Sequence, residues 1–505
     1  MKRTSTFLAI LMMLAWGTTS AQRYMTETFS DVNVTTDVTY GVNATVLLVP
    51  VLGEAVPEEL KMDVYTPAGD TETDRPVILY FHTGNFLPTP QNGQPTGTRT
   101  DSTAVEVCTR LAKLGYVVAS CDYRLGWNPQ STDQSVRVNT LINAAYRGVQ
   151  DCRTAIRFFR KSAAEGGDPY GIDPERVAVW GQGTGGYIAY AAATIDEYSD
   201  IVLPKFTTEV DNGMGGTIPV PMVIEEINGD IYGTSYGVYE NDTLCYVNHA
   251  GYDSDFNVMV NTGGACGDLS WIDAGDVPMI SFQVPSDPFA PYTTGTLVVP
   301  VLNYNIVEVS GAYDVQAAVA GYGNNDIFEL AEGYSAGLPY TDAANANNND
   351  YHGLYPLIRS ANPYDSAPWE WWDTDNVNSA NGLATNPDMS EMKANMFIDS
   401  IMGYAVPRIA CALDLPTSPC YVGIYEAEET TIQMFPNPAA ERFTVRAGDN
   451  IEMFVVYDMM GKVVATRRGI NANSVVVNVE NLPMGVYMVE VKTARGTIVE
   501  KLNKL

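Results

Sequence analysis

The run Val177-Ala178-Val179-Trp180-Gly181-Gln182-Gly183-Thr184-Gly185-Gly186 reads as a buried strand, a glycine turn and a helix of small residues. That arrangement lifts one side chain out of a tight bend, where its oxygen can attack a carbonyl beside backbone N–H donors. The bend demands small residues two positions before and two after the attacking residue. Gly181 and Gly185 meet that demand and leave Gly183 at the apex. Glycine has no attacking atom. Thr184 carries the neighbouring hydroxyl, but that register puts Gln182 two positions ahead of it, where a small residue is required. Loss of a triad nucleophile costs on the order of 10⁶ in turnover in subtilisin, leaving roughly 10³–10⁴ over water. The chain has three histidines, His82, His249 and His352, and seven cysteines with no CxxC or Cys/His cluster. Zinc chemistry has no support, and no cofactor is expected.

The elements that must position this bend alternate in type. Val77 to Phe81, Tyr116 to Ser120 and Val177 to Trp180 are short apolar runs, as in strands covered on both faces. Ala104 to Leu114 predicts a helix stopping at Gly115, Ala144 to Ala164 a long amphipathic helix, and Gly185 to Ala193 a third. Ser390 to Leu415 predicts a last helix that packs back on the sheet. Strands alternating with helices imply an α/β fold with a doubly wound, mostly parallel sheet.

Five segments in order carry a resemblance. His82-Thr83-Gly84-Asn85-Phe86, Asp122-Tyr123-Arg124-Leu125-Gly126, Arg147-Gly148-Val149-Gln150-Asp151, the stretch Gly171 to Gly186, and Val277 to Tyr292 with Ser286-Asp287-Pro288 resemble the carboxylesterase branch of the α/β-hydrolase family. The likeness spans about Lys61 to Leu415. It implies that Gly183 stands where the family has its serine and that Asp287 is the acid. It also implies that His352, which follows the acid in chain order, is the base. The implied oxyanion donors are backbone N–H groups of Thr83, Gly84, Asn85 and Thr184. Gln283-Val284 replaces the usual His-Gly of the acid segment.

Outside those motifs, Pro368-Trp369-Glu370-Trp371-Trp372-Asp373 reads as an aromatic wall for a sugar or phenolic group or as the anchor of a cap. Asn324-Asn325-Asp326 and Asn345 to Asp350 have oxygens but not the spacing of a calcium loop, and read as polar turns. The pairs Cys411/Cys420 and Cys245/Cys266 are plausible disulfides in an exported chain.

Lys2 and Arg3, the apolar stretch Phe7 to Trp16 and Thr19-Ser20-Ala21 predict a cleavable signal peptide over residues 1–21. No segment is apolar for the ~20 residues a transmembrane helix needs. The formal net charge is −31, while Tyr425 to Leu505 is close to neutral. A field of that sign repels nucleic acid and excludes it as a partner.

Residues 22–415 form the expected hydrolase-like domain and 416–429 a linker; 430–505 read as a small all-β sandwich of strand-like runs separated by turn signals, Gly448-Asp449-Asn450 among them. Phe435-Pro436-Asn437-Pro438-Ala439, Asp458-Met459-Met460-Gly461-Lys462, Leu482-Pro483-Met484-Gly485-Val486-Tyr487 and the basic end Lys501 to Leu505 resemble the type A sorting domain of the type IX secretion system. That resemblance implies the type IX machinery as partner and export across the outer membrane of a diderm bacterium. The product would be secreted or held on the surface, usually after removal of the domain. The expected function is a non-catalytic, esterase-like binder of a small ester, phenolic or carbohydrate ligand. Its rivals are an active carboxylic-ester (feruloyl-type) hydrolase using Thr184 or another nucleophile, and a surface structural or adhesion protein.

Overall fold

A computed structural model describes residues 23–299, 304–335, 337–359, 364–420, 432–459, 461–493 and 496–505. The expected signal peptide lies outside the described residues, as does most of the expected linker. The chain divides into two compact units, Met1–Tyr421 and Val422–Leu505.

Apart from two short hairpins between residues 207 and 245, the strands of the first unit begin with β1 (Val32–Thr45), β2 (Val56–Pro67), β3 (Arg75–Phe81), β4 (Val117–Cys121), β5 (Ile172–Gln182), β6 (Val258–Thr262) and β7 (Met279–Gln283). A hairpin of β8 (Thr294–Val299) and β9 (Tyr304–Ser310) precedes β10 (Leu354–Pro356). Eight of these make one sheet in the order β1-β2-β4-β3-β5-β6-β7-β10. It is antiparallel at β1–β2–β4 and parallel from β4 to β10.

The alternating side chains of the central strands explain why helices cover both faces. Val77, Leu79 and Phe81 of β3 and Val177 and Val179 of β5 enter one buried cluster; Ile78, Tyr80, Ala178 and Trp180 enter the other. The first face receives helices α2 (Gln134–Glu165), α3 (Thr184–Thr194) and α4 (Ala312–Tyr322) through Val149, Ile156, Ile188 and Val315. The second receives α1 (Ser102–Leu114) and α5 (Glu391–Ala412) through Leu111, Ile398, Tyr404 and Ile409. Gly115 ends α1 in the left-handed region at φ 116°, and the Ser390 hydroxyl caps α5 by accepting from the Lys393 N–H. Helix α2 begins at Gln134, not Ala144, because Asp133 caps it there through the Ser135 N–H.

Two of the five segments that carry the resemblance meet inside this unit. The Arg124 Nε donates to Asp151 at 2.9 Å, and the Arg124 backbone N–H donates to the same carboxylate at 2.8 Å. Both side chains are fully buried. Cys411 and Cys420 are bonded. Cys245 and Cys266 are instead free, buried thiols. One ends a short hairpin strand and the other bridges Ser310 at the end of β9, so no bridge joins them.

The second unit is all-β. β11 (Gln433–Phe435), β12 (Arg442–Asp458), β13 (Val463–Asn478), β14 (Gly485–Thr493) and β15 (Gly496–Lys504) form one antiparallel sheet. The turn expected at Gly448-Asp449-Asn450 is a register break inside β12, which pairs with β11 before it and with β14 after it. Phe443, Val445, Val456, Val489, Val491 and Leu502 share its buried core.

Candidate active site and ligand cavity

The bend after β5 is forced by close approach. A Cβ on Gly181 would lie 2.0 Å from the Gly185 carbonyl oxygen, and one on Gly185 would lie 2.0 Å from that of Phe81. Gly183 between them has φ 54° and ψ −115°, a conformation side chains rarely adopt. Its N–H donates to the Thr262 carbonyl at 2.8 Å, and the Gly185 N–H donates to the His82 carbonyl at 3.2 Å. The bend is therefore tied to the ends of β3 and β6. A Cβ on Gly183 would fall 2.2 Å from Thr83 Oγ1 and 2.8 Å from Thr83 Cβ. Thr83 fills the space that a side chain at the apex would need.

Thr83, Gly84 and Asn85 follow β3, and Gly84 has φ 131° where it packs against Gly97. Thr184 opens α3, so its backbone N–H has no carbonyl within the helix to meet. Its hydroxyl lies 2.9 Å from the Tyr123 hydroxyl. Tyr123 spends its own proton on the His82 carbonyl at 3.0 Å. The Thr184 hydroxyl therefore has a phenol, not a base, as its hydrogen-bond partner. Burial drives the Tyr123 pKa upward, which keeps that phenol neutral.

Asp287 follows β7. Its Oδ1 accepts from the Phe289 N–H at 2.7 Å and the Ala290 N–H at 3.3 Å. Burial nonetheless pushes this carboxyl well above its ordinary pKa. Gln283, one half of the departure from the usual His-Gly, ties the loop together. Its side chain donates to the Ala290 and Pro291 carbonyls at 2.8 and 3.0 Å and accepts from the Ala312 N–H at 2.9 Å.

Glu370, in the tryptophan-rich run, joins the site although nothing in its sequence context marks it. It accepts from Gln182 Nε2 and, at 3.2 Å, from Thr96 Oγ1. Burial, with Asp101 adding repulsion, raises its pKa to about 8. Trp369 and Trp372 of the same run are buried.

Gly183, Thr83, Thr184, Asp287, Trp369 and Glu370 line one cavity of about 110 Å³. It opens beside a second of about 670 Å³, and Asn85, Gln94, Thr184, Tyr187 and Phe289 line both. The larger is walled by Phe86, Trp127, Phe206, Trp271 and Ile306 and, among the described residues, by no charged side chain.

The structure does not bring His352 there. Among the described residues no histidine lines the small cavity. The cavity lies where β3, β5 and β7 end, the usual binding edge of an open parallel sheet. His352 instead precedes β10, which runs parallel to β7 with Leu354 beside Ser281, so His352 falls at the opposite end of the sheet from the loop that carries Asp287. The His352 ring is paired with Glu332 at 3.0 Å and Glu329 at 3.9 Å. His82 stacks on Tyr123 and sits 3.4 Å from Asp122. His249 meets the Tyr40 carbonyl, and burial lowers its pKa.

Residues 62–225 match the BD-FAE family, which covers the loop after β3, the bend and α3. Residues 433–504 match the secretion system C-terminal sorting domain. The chain thus joins an esterase-like α/β-hydrolase domain to a sorting domain. Three solved structures illustrate its likenesses, all of an esterase from Thermogutta terrifontis. The form phosphoramylated by tabun is 15% identical, with 74% of this chain and 96% of that one covered and a TM-score of 0.34. The propionate-bound form is 16% identical over 74% and 96%, TM-score 0.33. The form phosphorylated by paraoxon is 19% identical over 52% and 74%, TM-score 0.30. No curated protein matches the chain in sequence. The sorting domain marks the chain as cargo of type IX secretion, bound for the cell surface or beyond. No helix among the described residues is long and apolar enough to cross a membrane.

Proposed function

We propose that the hydrolase-like domain of this exported protein binds a small ligand in the paired cavities and does not hydrolyse it. The observation that carries the reading is the bare apex of the bend. Gly183 brings no oxygen, and Thr83 Oγ1 occupies the place of a side chain there. Two further features support it. Asp287 Oδ1 accepts from two backbone N–H groups, and none of the described hydrogen bonds to Asp287 comes from an imidazole. The other hydroxyl at the bend, on Thr184, has as its partner a phenol that cannot act as a base near neutral pH. An oxyanion pocket that lacks nucleophile and base retains only its capacity to bind.

The test is direct. The purified chain should not turn over short-chain nitrophenyl esters above the level of a Thr184→Val variant, and a fluorophosphonate probe should leave it unlabelled. The competing reading of an active ester hydrolase is favoured by one observation, that Thr184, a hydroxyl-bearing residue, lines both cavities. Covalent labelling at Thr184 would establish that reading and end the binder proposal.

A further inference from the structure

The two cavities differ in the chemistry they offer. The small one presents the carboxyls of Asp287 and Glu370, and no Lys, Arg or His lines it among the described residues. Asp287 Oδ1 is engaged by two backbone N–H groups, while no described hydrogen bond reaches Oδ2. Trp369, 2% exposed, lines the same space, and its indole N–H has no partner; nor has the buried hydroxyl of Tyr187, where the two cavities join. The large cavity is walled mainly by aromatic and aliphatic side chains, joined by neutral amides such as Gln91, Asn92, Gln130 and Asn381.

We propose that the paired cavities take an amine-bearing amphiphile, with an ammonium and an adjacent oxygen in the small cavity and an aryl or alkyl tail in the large one. This names the ligand class for the binder reading above and rests on it. An ammonium supplies the positive charge that two enclosed carboxyls lack. A carboxylate or phosphate head would meet them with no counter-charge, a heavy desolvation penalty. The oxygen answers the indole N–H, a buried donor that otherwise goes unmet. Tyr187, at the junction, accepts from the ammonium or donates to the oxygen. The tail needs only apolar surface, and the combined volume falls in the range of about 300–1,000 Å³ usual for small-molecule sites. Burial raises the pKa of both carboxyls, as expected where no cation is yet present.

Isothermal titration of the full chain near neutral pH decides it, with four probes that share one tail: 2-amino-4-phenylbutan-1-ol, 4-phenylbutylamine, 4-phenylbutan-1-ol and 4-phenylbutanoate. The amino alcohol should bind at least about tenfold more tightly than the plain alcohol, and the carboxylate should bind most weakly, as charge complementarity requires. Glu370→Gln should erase most of the amine's advantage; Asp287→Asn makes the same test should that variant not fold. If the alcohol or the carboxylate binds as well as the amines, the cationic head is refuted and the binder reading stands. If none of the four binds, the ligand class is refuted. Ester turnover or covalent labelling would instead strike the binder reading itself.

Discussion

Restoring a serine at Gly183 should cost stability and bring no catalysis. At φ 54° and ψ −115° a non-glycine residue carries roughly 1–3 kcal/mol of backbone strain. Its Cβ would also meet Thr83 Oγ1 at 2.2 Å, and making room in a packed site costs typically about 1–3 kcal/mol more. The sum is roughly 2–6 kcal/mol. With an unfolding entropy of ~2 cal/mol/K per residue, a domain of this size should lose roughly 2–7 °C in Tm. Calorimetry on Gly183→Ser measures the loss. Adding Thr83→Gly should return the share due to the clash and leave the share due to φ. Neither variant should turn over nitrophenyl butyrate, because no imidazole lines the cavity among the described residues. A single Gly183→Ser variant that is as stable as the parent, or that shows saturable ester hydrolysis, would refute the reasoning.

Glu370 makes stability pH-dependent in a definite direction. Its folded pKa of about 8 lies above the unfolded carboxyl value, so the folded state holds a proton that the unfolded chain has lost, and stability falls as pH rises toward 8. From about pH 6.5 to 8 this amounts to roughly 2 kcal/mol, and urea titrations of Glu370→Gln should show a correspondingly flatter profile. Breaking the buried Arg124–Asp151 pair with Asp151→Ala should cost about 3–5 kcal/mol, read as a lower urea midpoint with the slope unchanged. The paired substitutions Cys411→Ser and Cys420→Ser should cost roughly 2–3 kcal/mol, the loop-closure entropy of so short a loop, in the same measurement.

The bend was legible in the sequence because its constraint is local. Gly181 and Gly185 are imposed by backbone atoms that come within van der Waals distance, and any chain making this turn must spell them. The central strands were legible because both faces are covered, which leaves an unbroken apolar run. His352 shows the limit. Chain order alone puts it after Asp287, but order does not say at which end of the last strand a residue falls, and His352 lies at the end away from the cavity. Glu370 went unread because nothing in the spacing of a tryptophan-rich loop reveals a contact with Gln182 at the bend. The sequence pattern gives Thr83 only a backbone role; that its side chain occupies the apex emerges from packing between two loops about a hundred residues apart. In the sorting domain, Gly448 and Asn450 mark a turn by composition, yet hydrogen bonds to two different partner strands carry β12 through that point.

The bond between Cys411 and Cys420 closes the chain back on the final turn of α5, just before the boundary at which the second unit begins. The Thr417 hydroxyl, inside that loop, donates to the Arg23 carbonyl at 2.7 Å. A protease that severed the address label would thus leave behind a hem already stitched. Exopeptidases nibbling from the fresh end would stall at a covalent knot before they could unravel the helix that seals one face of the sheet.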